Sequence, residues 1–314
     1  MKTTICSIGE CMIEMTNVEK ELYNYSVAGD TLNFTSYLDQ SIFNKFYLTA
    51  IGTSDINKGV ISFLKKKKIN TDLVKKIQFK EIGLYLIKNT KRGEKQFYYW
   101  RDDSASKFFF NSMNKNLFIK KQRFDYIYLT GITLSLLDAK NVDKFISHLT
   151  ILRKKNSKII FDFNIRIKRW SKKNLNLFLN TTLPNIDILF CSGEDLVCWK
   201  KNDHIKTFEN ILKKFNIFHA IFRKNEEYNY SFYKNKKYMI RNKPIKKVVD
   251  TSGAGDGYNA TYLSNFISSR NSVVFSIGKI FCLFNSISKF LFNINYSPFL
   301  HDNFCYYFTC LIKR

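Results

Sequence analysis

The chain has 314 residues, of which 45% are hydrophobic and 16% aromatic, so it can bury a full core as one large α/β domain or two modest ones, which excludes a short peptide, a disulfide miniprotein and a disordered tail. The 51 Lys and Arg residues outnumber the 26 Asp and Glu residues and give a formal net charge of +25, a balance typical of proteins that bind nucleic acid or anionic lipid. The lysines are spread along the whole chain, however, and a general bias towards Lys, Asn, Ile, Phe and Tyr explains the charge without such a partner.

Cysteine usage and the polarity of the apolar stretches predict a cytoplasmic protein without a membrane segment. The seven cysteines are an odd number without a CxxC pair or a His at zinc-ligand spacing, so reduced thiols are expected. Glu10 and Glu14 interrupt the stretch that a signal peptide would need to be apolar. The most apolar late segment, 273–294, contains Lys279 and Lys289 and is too polar to span a membrane.

The first hundred residues predict a small sheet that stands off the main body. Residues 65–68 are four lysines and are interpreted as a solvated helix end. Residues 81–88 and 94–101 are extended segments joined by 89–93, a polar turn with a glycine. This pattern is typical of a β-hairpin.

From about residue 123, apolar runs alternate with amphipathic stretches. The predicted strands are 124–129, 158–163, 186–190 and 217–223, and the predicted helices are 139–152, 171–181 and a helix that contains 208–215. In the last helix, apolar residues fall at positions i, i+3, i+4 and i+7 and form one face. Repeated strand–helix units predict a parallel sheet covered by helices.

The strongest local pattern is the run 248–257, VVDTSGAGDG, which opens directly onto a helical stretch. Free N–H groups and the positive end of the helix dipole favour an anion there, and the glycines let a phosphate approach the backbone. The run is neither a Walker A motif nor a GxGxxG turn. Asp256 within it could accept the proton of a hydroxyl that attacks a phosphoryl group, or it could simply cap the helix.

The run 250–256 resembles the DT-x-GAGD signature of the ribokinase-like (pfkB) carbohydrate kinases. Five further blocks occur in the family order, and they are similar in particular to the branch that phosphorylates 2-dehydro-3-deoxygluconate. These blocks are 8–14, 28–33, 97–101, 124–132 and 161–166. Chance agreement of six ordered blocks is implausible.

The resemblance implies an α/β fold of the ribokinase-like type. This is a three-layer α/β/α sandwich with a mostly parallel central sheet and a small β-sheet lid. Residues 1–314 would form one kinase domain, in which about 12–33 and 81–110 form the lid.

The resemblance also implies ATP-dependent phosphorylation of the 6-hydroxyl of 2-dehydro-3-deoxy-D-gluconate. Arg101 and Arg166 would hold the substrate carboxylate, because a guanidinium presents a planar fork of donors. Tyr85 and Tyr99, on the two arms of the hairpin, would bind sugar oxygens and exclude water, unless they only pack the sheet. The other residues at substrate-binding positions are Gly29, Asp30, Asn33, Ile132 and Asp256.

For the nucleotide, the resemblance places ATP across the turn before the last predicted helix and a neighbouring strand end. The residues concerned are Ser252, Gly253, Ala254, Gly255, Asn164, Arg223 and Lys224, of which the last two are equally well interpreted as a solvated basic strand end. Glu194 is expected to hold Mg²⁺ through water, and Asp195, one residue later, is the alternative. A monovalent cation such as K⁺ is a further candidate cofactor.

Four positions depart from the family pattern. Ala28 and Thr261 stand where glycine is common, and Asn225 replaces a glycine near the adenine, although Asn tolerates the left-handed region best. Residues 294–296 replace an expected Gly-Ala turn. The last departure concerns the adenine pocket and the monovalent-cation site, whereas the core catalytic set is intact.

Three alternative functions differ in what they require of the sequence. A neutral-sugar kinase of the fructokinase or ribokinase type would share Asp256 but give Arg101 and Arg166 nothing to bind. A nucleic-acid-binding protein would gather its basic and aromatic residues on one face, and no RRM, KH, zinc-finger or helix-turn-helix signature is present. A pseudokinase is disfavoured by the intact turn. We therefore expect ATP and a sugar acid as partners, no nucleic acid, no membrane, and a homo-oligomer formed through the lid.

Overall fold

The computed structural model describes residues 2–19, 22–89, 95–112, 123–197, 203–224, 228–241 and 253–269. Its strands are β1 (Thr3–Ile8), β2 (Met12–Glu19), β3 (Leu22–Ala28), β4 (Phe43–Ile51), β5 (Ile69–Asn70), β6 (Val74–Lys76), β7 (Gly83–Asn89), β8 (Lys95–Trp100), β9 (Tyr126–Thr130), β10 (Lys158–Asp162), β11 (Ile188–Ser192), β12 (His219–Arg223), β13 (Tyr228–Tyr233) and β14 (Lys236–Arg241). Its helices are α1 (Asp30–Tyr37), α2 (Ile56–Lys66), α3 (Ala105–Ser112), α4 (Gly131–Leu134), α5 (Val142–Lys154), α6 (Lys172–Thr182), α7 (His204–Phe215) and α8 (Ala254–Ser268).

The larger of two sheets forms the body of the protein. Its strand order is β14-β13-β12-β11-β10-β9-β1-β4-β5, and β6 pairs with β4 beside β5. Every pair from β12 to β5 is parallel, and the two pairs at one edge, β12–β13 and β13–β14, are antiparallel. The strand–helix alternation predicted from residue 123 onwards is therefore confirmed. Its strands are short apolar runs because both faces of such a sheet are covered.

Helices cover both faces of this sheet, which confirms the three-layer architecture. Successive side chains of a strand point to opposite faces, and accordingly Ile5 and Cys6 of β1 belong to two separate buried clusters. Helices α1 and α8 pack on the face of Ile5, whereas α3, α5, α6 and α7 pack on the face of Cys6. No helix among the described residues is long and apolar enough to cross a membrane.

The smaller sheet is the predicted lid, with strand order β3-β2-β7-β8. Strands β7 and β8 pair antiparallel, which confirms the hairpin predicted from the sequence, and β2 pairs parallel with β7. A third buried cluster, with Ile13 and Val27 from the lid and Tyr47 and Leu64 from the body, joins the two sheets. The strands of the lid span 12–28 and 83–100, while the rest of the expected lid ranges includes the helices α1 and α3.

The chain leaving β9 lies unusually close to the chain leaving β10. The backbone N–H of Gly131 donates to the Phe163 carbonyl at 3.1 Å, and a Cβ added to Gly131 would lie 2.1 Å from that carbonyl oxygen. Two parallel strands can deliver their following loops this closely only where one residue lacks a side chain.

We predict that Gly131→Ala lowers the free energy of unfolding by about 1–3 kcal/mol, because the added methyl group overlaps a backbone oxygen. The matched control is Gly59→Ala in α2, whose Cβ would meet only the end of the flexible Tyr25 side chain, with its hydroxyl at 3.2 Å. There the gain in helix propensity should raise stability by up to about 1 kcal/mol. Urea denaturation of both variants measures the difference, and equal effects would contradict the close approach at Gly131.

Candidate active site

The candidate site lies where the parallel strands of the body end. Because these strands run in the same direction, their following loops meet at one edge of the sheet, which is where ligands bind in open α/β sheets. The segments that follow β1, β9, β10, β11 and β12 carry Glu10, Ile132, Asn164, Glu194 and Lys224 respectively, with Ile132 in α4. Helix α8 begins at the same edge, because Arg223 at the end of β12 contacts its first turn.

A glycine turn opens α8 and presents its N-terminus. Gly253 has a left-handed backbone with φ 71° and caps the helix, a conformation that favours glycine. Asp256 lies in the first turn and is only 8% exposed. Its carboxylate accepts a hydrogen bond from Asn33 Nδ2 at 3.0 Å. Within the described chain, the carboxylate bonds no N–H group of the helix, so the geometry does not match the alternative in which Asp256 is a helix cap.

Helix α1 supplies the polar groups that face Asp256. Gly29 precedes this helix, and its carbonyl accepts from the Asn33 N–H at 2.7 Å. Asp30, one turn before Asn33, accepts from Thr130 Oγ1 at 2.6 Å and from Asn164 Nδ2 at 3.0 Å. Asn164, expected near the phosphates, is therefore bonded to a residue expected on the substrate side.

Burial increases the proton affinity of the Asp256 carboxylate. Burial raises the pKa of Asp256 well above its ordinary value, and the neighbouring charge of Asp30 raises it further. The hydrogen bond from Asn33 and the positive charge of Arg223 oppose this shift. A carboxyl with a raised pKa is the better proton acceptor in its ionised form, which suits a general base.

Arg223 links the glycine turn that opens α8 to the neighbouring strand β10. Its guanidinium donates to the Gly255 carbonyl at 3.4 Å, pairs with Asp162 at 3.4 Å and contacts the Asn259 side chain. Asn259 Nδ2 in turn donates to Asp162 Oδ2 at 2.8 Å. Burial is the largest single influence and lowers the pKa of Arg223, but Asp162, Asp195 and two nearby tyrosines together outweigh it and the pKa is raised.

This network changes the expected role of the basic strand end. The side chain of Arg223, which the sequence suggested as a ligand of the polyphosphate, is only 17% exposed. Its donors already contact Gly255, Asp162 and Asn259. The side chain of Lys224 is exposed instead. Of the two residues, Lys224 thus presents its charge to solvent, and a lysine ammonium is a flexible point charge of the kind that can bind phosphate.

The loop after β11 separates the two candidates for the metal. Asp195 is buried, and its carboxylate accepts from the N–H of Ile165 at 2.8 Å and from the N–H and Oγ of Ser192 at 2.8 and 2.7 Å. The side chain of Glu194 is exposed and forms no hydrogen bond or ion pair with any described residue. Asp195 therefore ties two loops together, while Glu194 can turn to a hydrated ion.

A row of polar side chains crosses the lid on one face. Ser26, Glu14, Tyr85 and Tyr99 occupy adjacent positions on β3, β2, β7 and β8. The Tyr85 hydroxyl donates to Glu14, which also accepts from Ser26 Oγ at 3.2 Å. The ring centroids of Tyr85 and Tyr99 lie 5.8 Å apart. Asp256 is among the charges that raise the pKa of Tyr85, so this face of the lid is turned towards the site.

The two predicted arginines occupy very different environments. The side chain of Arg101 is 5% exposed and forms an ion pair with Glu10, whose other oxygen accepts from Ser104 Oγ. This pair lies at the base of the lid, where β8 returns to the body. Burial raises the pKa of Glu10, and the positive charge of Arg101 partly offsets that shift. Arg166, by contrast, is exposed on the loop after β10.

Some of the remaining positions lie outside the described residues. These are Ser252, Asn225 and 294–296, for which the sequence expectations stand as predictions. Ala28 ends β3 in an extended conformation, so no glycine is required there. Sequence reasoning assigned no role to Glu10 or Glu14, although both stand in the block 8–14. The available signal for Glu14 was a single acidic residue among the apolar residues 12, 13 and 15. Glu10 lies between β1 and β2.

Three comparisons relate the chain to known proteins. The family described as "pfkB family carbohydrate kinase" matches residues 2–274. The 2-dehydro-3-deoxygluconokinase of Haemophilus influenzae is 31% identical over 277 residues, which cover 85% of this chain and 88% of that protein. The enzyme of the same name from Dickeya dadantii is 30% identical, over 83% of this chain and 86% of its own. A crystal structure of a ribokinase II from E. coli with ATP and Mg²⁺ has a TM-score of 0.73 at 16% identity, covering 91% of each chain.

We predict opposite shifts of the Asp256 pKa in two variants of α1. Asp30→Asn removes a neighbouring negative charge and should lower the pKa, whereas Asn33→Leu removes a hydrogen bond to the carboxylate and should raise it. Carbon-13 NMR of the aspartate carboxyls, assigned by comparison with Asp256→Asn, measures both shifts. Asp55→Asn, at a side chain that is 89% exposed, is the control and should leave the pKa unchanged. Shifts of the same sign in both α1 variants would contradict this electrostatic arrangement.

Proposed function

Because the chain belongs to the pfkB family of carbohydrate kinases, we propose that it transfers the γ-phosphoryl group of ATP to the 6-hydroxyl of 2-dehydro-3-deoxy-D-gluconate. The product is 2-dehydro-3-deoxy-6-phosphogluconate, in the breakdown of sugar acids. The observation that carries the proposal is the buried carboxyl of Asp256, with its raised pKa, in the first turn of a helix that opens on glycine. The names of both relatives support this substrate.

The arginines favour a sugar acid over a neutral sugar. A neutral ketose or pentose offers no anionic group, so guanidinium groups at the lid base and on the loop after β10 would gain nothing from it. A kinase of the fructokinase or ribokinase type is the alternative, since it would share the Asp256 turn. The two functions differ in substrate and not in reaction.

Each step of the transfer then has a group in this chain. Asn33 orients the Asp256 carboxylate, which takes the proton of the sugar hydroxyl as the hydroxyl attacks the γ-phosphorus. The N–H groups of the Gly253–Gly255 turn face the developing charge of the phosphoryl group. Tyr85 and Tyr99 cover the sugar from the lid and exclude water, so that the hydroxyl and not water is the acceptor.

Mg²⁺ fits the donor set at the loop after β11. A cluster of three or more His, Cys, Asp or Glu side chains that could hold a metal is absent from the described residues, so the ion would be held by water and phosphate with Glu194 nearby. When bound with ATP, Mg²⁺ neutralises charge on the β- and γ-phosphates. K⁺ as a further cofactor stays a prediction.

We also propose a cytoplasmic location and a homo-oligomer that forms through the lid. Cys6, Cys11 and Cys191 are buried free thiols, in keeping with a reducing compartment. Leu22 and Trp100, on the two edge strands of the lid, are 69% and 59% exposed. Apolar side chains on an open sheet edge are where a second subunit would gain most by covering the lid.

We predict that the wild-type protein phosphorylates 2-dehydro-3-deoxy-D-gluconate with a higher kcat/KM than fructose or ribose. A coupled assay that follows ADP in the presence of ATP and Mg²⁺ measures the three substrates. In the same assay, Asp256→Asn should lose about 10²–10⁴-fold in kcat, while calorimetry shows ATP binding retained. A higher kcat/KM for fructose or ribose would overturn the substrate, and near wild-type turnover by Asp256→Asn would overturn the base.

We predict that Glu194→Gln raises the Mg²⁺ concentration needed for half-maximal activity several-fold, because a neutral amide holds the hydrated ion less well. Asp195→Asn is the matched variant one residue later. It should lower the melting temperature, because it removes a carboxylate that accepts three hydrogen bonds, and leave the Mg²⁺ requirement unchanged. A reversed pattern would assign the metal to Asp195.

A further inference from the structure

A third arginine, Arg169, is fixed beside the two that the sequence singled out. It ends the short helical turn Ile167–Arg169 on the loop after β10 and is half-buried. Its Nε donates to Ser135 Oγ at 3.0 Å, and Ser135 donates to the Ile132 carbonyl at 2.7 Å. The side chain is thereby tied to the loop after β9. Its two terminal nitrogens have no acceptor among the residues that the structure describes, and they keep four N–H donors available.

Arg169 shares its surroundings with the ion pair at the base of the lid. Burial and the positive charge of Arg101 lower the pKa of Arg169, against the opposing charges of Glu10 and Asp102. Asp102 is exposed to solvent, where its charge is screened. Among the described residues that act on Arg169, the part of the group shielded from solvent thus contains two guanidinium groups, that of Arg169 being half-buried, and one carboxylate, that of Glu10.

The donors of Arg101 are also incompletely used. Its Nε is buried and has no hydrogen-bond acceptor among the described residues, while Nη2 pairs with Glu10. Unsatisfied buried donors are costly. An additional carboxylate between Arg101 and Arg169 would supply both the missing acceptor and the missing negative charge.

The three arginines differ in how well each can bind that carboxylate. Arg101 is almost fully buried and already paired, and Arg166 is exposed without a partner among the described residues to orient it. Arg169 is oriented through Nε, retains its terminal donors and lies between these extremes. A guanidinium held in place by one nitrogen loses less conformational freedom when the others bind a carboxylate.

We propose that Arg169 binds the carboxylate of the sugar acid and is the residue that makes the site prefer an acid to its neutral counterpart. Arg101 is then a positioning residue, which Glu10 holds at the base of the lid and whose charge adds to that of Arg169. This inference rests on the proposed function, since it names the group that distinguishes the substrate class. It assigns specificity to a position that lies three residues beyond Arg166.

The test measures binding without turnover. Calorimetry in the absence of ATP compares the dissociation constants of 2-dehydro-3-deoxy-D-gluconate and its C1 amide, which has the same shape without the charge. Wild-type protein should prefer the acid, and Arg169→Gln should reduce that preference at least about tenfold, because charge-assisted hydrogen bonds are lost. Affinity for the amide and for ATP should change less than about twofold, and Arg169→Lys should recover part of the preference.

Arg153→Gln is the matched control. It removes the same charge from a side chain that is 43% exposed and pairs with Asp187, so it reports the effect of net charge alone. An unchanged preference in Arg169→Gln, or an equal loss in Arg153→Gln, would overturn the inference.

The outcome also separates this inference from the proposed function. If wild-type protein fails to phosphorylate the acid but loses its binding preference for it in Arg169→Gln, the proposed reaction falls and the role of Arg169 stands. If wild-type protein phosphorylates the acid and Arg169→Gln keeps the full preference, only the role of Arg169 falls. Melting temperatures of the variants within a few degrees of wild type establish that each comparison is made on folded protein.

Discussion

Three carboxyl groups, those of Asp30, Asp162 and Asp256, lie in one region where the parallel strands end. Their negative charges repel one another, so the neighbouring loops must supply hydrogen-bond donors or positive charge to each of them. Each has a different degree of compensation. Asp162 is paired with Arg223, yet burial still raises its pKa to about 6. Asp30 accepts two hydrogen bonds from neighbouring loops. Among the described residues, Asp256 accepts a side-chain hydrogen bond only from Asn33. Burial raises its pKa well above the ordinary value, although the charge of Arg223 opposes the shift.

The opposite charge is gathered at the other end of the site, by the base of the lid. The arginines there outnumber the one buried carboxylate, whereas carboxyl groups dominate around Asp256. A substrate with a carboxylate at one end and a reactive hydroxyl at the other would be oriented by this polarity before any specific contact forms. The chain-wide excess of lysine is a different effect, because it is spread over the surface and is screened by salt.

Local patterns predicted the parts of the structure that depend on neighbouring residues. The strand at 158–163, the hairpin at 81–101 and the turn that opens α8 each follow from residues within one element. Contacts between segments that are far apart in the sequence could not be predicted from these local patterns. Nothing in the strand end at 223–224 tells which of its two basic residues turns inward, because the answer depends on Asp162 and Asn259, on other elements.

The lid shows the same limit. The sequence placed Tyr85 and Tyr99 on facing strands, and their cross-strand pairing bears this out, but the acidic neighbour that bonds Tyr85 comes from β2, seventy-one residues earlier. Which side chains share a face across a parallel pair is set by register, and a shift of one residue would have turned that acidic group away. The position of Glu14 on the same face of the lid as Tyr85 and Tyr99 was therefore not predictable from the sequence.

The parallel pairing of β2 with β7 has a consequence for how the protein folds. It pairs Met12 with Gly83. The segment between these two residues includes α1, β4 and α2 of the body, which must fold before the two residues can meet. Each two-stranded hairpin of the lid has only marginal stability by itself. Closing the loop between residues 12 and 83 costs conformational entropy, and the β2–β7 pairing can offset this cost only after the body has formed. The lid should accordingly assemble after the body and open before it, so that its hydrogen exchange reports a local opening of lower free energy than global unfolding.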